Sequence, residues 1–80
     1  MEYKRTYTQE EVKALYDWYD TTQPQGAFDL GHGLKIIDVR DLFENTRTIA
    51  MEKCDNSTYS GQIHTLFLVQ EAIAGGAALN

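Results

Sequence analysis

The run Phe28-Asp29-Leu30-Gly31-His32-Gly33-Leu34-Lys35-Ile36 separates two readings of this chain. Its apolar residues alternate, Phe28 and Leu30 before the glycines and Leu34 and Ile36 after them, as in strands with one covered face. Gly31 and Gly33 supply the backbone freedom that a very short turn demands. The run therefore suits a minimal β-hairpin. It equally suits an extended loop laid over helices, because two strands of about three residues are marginal without support. The flanking sequence on both sides is helical in pattern. The expected fold class is therefore all-α, a compact three-helix domain with a short loop or minimal β-hairpin between helices 1 and 2.

On the N-terminal side a helix is expected over residues 8–20. Thr8 and Glu11 make a capping box, in which the hydroxyl accepts from the Glu11 amide and the carboxylate reaches back to the cap. Tyr7 and Val12 occupy the positions of a hydrophobic staple. Val12, Leu15, Tyr16 and Tyr19 then recur at helical spacing with Trp18 on the flank, which predicts one aromatic-rich buried face. The breaker cluster Pro24 and Gly26 ends the element, since the residue before proline avoids helical geometry.

On the C-terminal side the second helix is expected over 38–53, capped by Asp38, with Asp41 at its third position and Ile37 and Leu42 as a second staple pair. Val39, Leu42, Phe43, Ile49, Ala50 and Cys54 trace its inner stripe, interrupted by Thr46. Asp55, Asn56 and Ser57 favour turns and caps, so they end this helix and open a third over 57–74. In that third helix Tyr59, Ile63, Leu66, Phe67, Ile73 and Ala74 share a face, with Val69 beside it and Gln70 within it. Gly75 and Gly76 provide a stop, leaving 75–80 as a tail. Leu68 projects almost opposite the shared face at about 100° per residue.

Eighty residues give one domain rather than two, because either half alone is too short to bury a core. With 42% hydrophobic residues the chain is too apolar to stay disordered. Seven Lys and Arg against twelve Asp and Glu leave a net charge of −5. The basic residues are scattered, which argues against nucleic acid, where clustered cations must displace counterions. Anionic membrane surfaces are disfavoured for the same reason. There is no apolar run of spanning length and the N-terminus runs into polar residues, so a cytoplasmic setting is expected. Cys54 is the sole cysteine, which fits a reducing compartment.

The chemistry-bearing residues do not assemble by spacing. His32, Cys54 and His64 lack the paired spacing of metal ligands, and they read as a turn histidine, a buried thiol and a helix-surface histidine. Gly31-His32-Gly33 lacks the length and the Lys-Ser/Thr ending of a phosphate cradle. Cys54, His64 and Asp55 contain the residue types of a nucleophilic site, but nothing directs His64 at a thiol on the inner stripe. Most carboxylates are explained by helix starts and solvation. No catalytic, cofactor-binding or metal residues are assigned, and no cofactor is expected.

Two classes of function survive. The first is a protein-protein interaction or assembly module, with Trp18, Phe28, His32 and Leu68 as the candidate contact surface for a protein partner or a second copy. The crowding of Tyr3, Tyr7, Tyr16, Trp18 and Tyr19 fits an interface, and it fits the core of a small domain equally well. The second class is an acidic decoy or inhibitor of a basic nucleic-acid-handling protein, drawn to it by charge. An enzyme ranks last, since so small a domain hardly encloses a pocket while keeping its core.

The order of a capped first helix, a short apolar loop with glycine, Ile36-x-Asp38-Val39 leading into a helix with Phe43, then Tyr59 and a Leu-rich last helix resembles a family of short uncharacterised bacterial proteins from gut anaerobes. The resemblance spans about residues 8–74 and departs from the group at Arg40, where proline is expected. It implies a compact helical fold and a bacterial cytoplasmic setting, and it brings no activity or site residues.

Overall fold

The computed structural model describes residues 7–31, 33–53 and 59–76. Three helices, α1 (Gln9–Thr22), α2 (Val39–Lys53) and α3 (Ser60–Ala74), enclose the core, and two strands, β1 (Phe28–Gly31) and β2 (Leu34–Ile36), lie between α1 and α2. The molecule is therefore mostly helical but not all-α, because the glycine-containing run forms an antiparallel hairpin. Phe28 faces Ile36 and Asp29 faces Lys35 across the pair, with a bulge before Gly31 meets Leu34. The glycines are used as the turn requires: Gly31 and Gly33 have φ of 80° and 79°, a region costly to any residue with a Cβ. Asp29 braces the turn by accepting the Gly31 amide at 2.9 Å. The hairpin escapes the marginality of isolated strands because Phe28 is buried in the shared core.

Helix α1 begins as its sequence dictates. Thr8 Oγ1 accepts from the Glu11 amide at 3.1 Å, and Glu11 Oε1 accepts from the Thr8 amide at 3.1 Å. Tyr7 and Val12 are both buried in the core cluster, as staple partners should be. The helix runs to Thr22, past the expected stop near Asp20. Gln23 ends it in the left-handed region, its amide donating to the Tyr19 carbonyl at 2.8 Å, directly before Pro24.

Helix α2 starts after Asp38, whose carboxylate accepts from the Arg40 and Asp41 amides at 3.0 and 3.3 Å. The expected staple of Ile37 on Leu42 does not form, since Ile37 is 87% exposed. β2 ends at Ile36, which pairs with Phe28, and Ile37 sits in the bend that follows, where the Val39 amide is tied to the Gly26 carbonyl at 3.2 Å.

Phe43 is the hub of the interior. Its ring stacks on Tyr19 with centroids 4.5 Å apart, meets Tyr16 edge-on at 5.8 Å and lies tilted against Trp18 at 6.2 Å. The aromatic face of α1 is thus core. Helix α3 meets α1, α2 and β1, so its buried face is broader than expected. Val69 joins Ile63 and Leu66 at full burial, while Ala74, expected on the inner face, is exposed. Gly75 and Gly76 stop the helix with amides donated to Glu71 and Ile73. Cys54 and the capping run Asp55-Asn56-Ser57 lie outside the described residues.

Candidate interaction surface

Of the residues expected at a contact surface, Phe28 is 4% exposed and belongs to the core, so it offers nothing to a partner. Trp18 is half-buried, its ring committed to Phe43. Leu68 is half-buried on the outer side of α3 and does not pack on the core cluster. His32 lies outside the described residues. Trp18, Phe28 and Leu68 are therefore not gathered on one open face.

The apolar side chains that do face solvent lie elsewhere. Ile37 and Leu34, at 87% and 43% exposure, flank the end and the start of β2. Among the described residues β2 pairs only with β1, so its second edge presents unpaired backbone groups. Beside Ile37 an open cleft of about 370 Å³ is walled by Gln25, Gly26 and Ala27 on one side and Ile37, Asp38 and Arg40 on the other. The Val39–Gly26 hydrogen bond ties the two walls to each other. The sequence pattern assigns Ile37 to a staple on Leu42, whereas in the structure it lies in the bend between β2 and α2 and faces solvent.

The polar groups elsewhere serve packing. The Tyr7 hydroxyl lies 3.1 Å from His64 Nδ1, and the Tyr7 ring stacks on Phe67 at 4.4 Å, so the residue ahead of α1 is fastened to α3. Tyr16 donates to the Phe43 carbonyl at 3.3 Å, and burial raises its phenol above the usual 10.0. Tyr19 is raised likewise, by burial first and by the Glu44 carboxylate second. Arg47 forms a two-pronged pair with Asp20 at 2.9 and 2.8 Å and lies over the Tyr16 ring, joining α2 to α1. Hydrogen bonding to Arg47 holds the Asp20 carboxyl below its ordinary range.

A second open cleft, of about 370 Å³, lies among Gln9, Glu10, Lys13 and Met51. Among the described residues no three His, Cys, Asp or Glu side chains converge as metal ligands would, and no helix is long and apolar enough to cross a membrane. His64 is engaged with Tyr7, and its suggested companions Cys54 and Asp55 lie outside the described residues. The chain matches no protein-family model, no curated protein and no solved structure.

Proposed function

We propose that this chain is a non-enzymatic protein-interaction module that accepts an extended segment of a partner along the open edge of β2. The observation that carries the reading is Ile37, 87% exposed just after a strand that, among the described residues, is hydrogen-bonded on one side only. An edge strand offers a ready ladder of amides and carbonyls, and a partner strand draws affinity from that ladder and specificity from side chains beside it. Natural edges are commonly kept short and charged, and β2 is three residues long with Lys35 at its centre, so the ladder offered is brief and Leu34 and Ile37 must supply much of the affinity. The partner expected is a short extended peptide carrying aliphatic side chains to cover Leu34 and Ile37.

We place the module in the cytoplasm, where its lone cysteine stays reduced. The acidic-decoy alternative has less behind it, because two carboxylates of α1, Asp17 and Asp20, are already paired with Lys13 and Arg47. The test compares wild type with Ile37→Asp and Leu34→Asp as baits, after circular dichroism has established that all three fold. A partner held by wild type and lost by both variants, with new amide protection at Lys35–Ile37 on binding, supports the reading. A partner held equally by all three, or binding without protection in β2, refutes it.

A further inference from the structure

We draw no further inference here: the strongest candidate, the open cleft at the end of β2 between Gln25–Ala27 and Ile37–Arg40, adjoins the contact already proposed, and with the opposite charges of Asp38 and Arg40 in one wall nothing in the structure shows what fills it.

Discussion

Replacing Phe43 by alanine tests whether one ring organises the interior. Phe43 is fully buried, and truncating such a ring costs about 3–5 kcal/mol through lost transfer energy and the cavity left behind. Each aromatic partner adds about 0.5–1.5 kcal/mol beyond area, and Phe43 has three, of which the stack on Tyr19 is the tightest. A core in this size range supplies about 3–5 kcal/mol in total, so Phe43→Ala should leave the chain largely unfolded at 25 °C. Phe43→Leu keeps most of the apolar volume and forfeits the ring contacts. It should cost about 1.5–3 kcal/mol, which lowers the melting temperature by about 6–24 °C. Phe67→Leu provides the contrast, because that ring is half-buried and stacks on Tyr7 alone among the described aromatic pairs. Urea and thermal melts followed by far- and near-ultraviolet circular dichroism measure all three. A Phe43→Ala protein that melts like wild type, or a Phe67→Leu loss larger than that of Phe43→Leu, refutes the hub.

Two further outcomes are expected. Thr8→Ala removes the acceptor for the Glu11 amide and should cost about 0.5–2 kcal/mol in urea melts, with an effect near zero counting against the capping box. Tyr16 and Tyr19 hold their protons more tightly folded than unfolded, so the native state binds more protons above the unfolded value of 10.0 and stability falls as pH rises beyond it. Tyr16→Phe should flatten that alkaline loss in melts between roughly pH 9 and 11, and an unchanged profile would show that the Tyr16 phenol is not protected by burial.

The helices were legible wherever local chemistry and burial agree. The Thr8–Glu11 box fixes the start of α1 in four residues of sequence, and Asp38 fixes that of α2, because both act on amides within three positions. Gly31 and Gly33 made a turn visible, yet alternation alone left strand and loop equivalent. What decides between them is the burial of Phe28 among helices distant in sequence. Ile37 departs from its expected staple for a related reason: the bend between β2 and α2, which depends on how the hairpin docks, turns it to solvent. On α3, apolar residues fall on nearly every side, so periodicity placed its centre but not its breadth, and Val69 entered the core while Ala74 left it. Aromatic content in the sequence points to a contact surface, whereas in the structure the interior takes up Tyr7, Tyr16, Tyr19, Phe28 and Phe43.

That use of the rings constrains how the molecule recognises anything. With Tyr16, Trp18 and Tyr19 engaged on Phe43 and Tyr7 on Phe67, the exposed large apolar side chains among the described residues are Leu34 and Ile37. They stand apart from the hub, so the proposed contact can be altered without dismantling the core. A partner bound there would stabilise the fold, because a ligand present at a hundred times its dissociation constant adds about 2.7 kcal/mol, comparable with the stability of so small a core. Ile37→Asp exploits the separation: a side chain 87% exposed contributes little to the isolated fold, within about 0.5 kcal/mol, so its replacement should remove the stabilisation conferred by a β2 partner while leaving the unbound melting temperature in place.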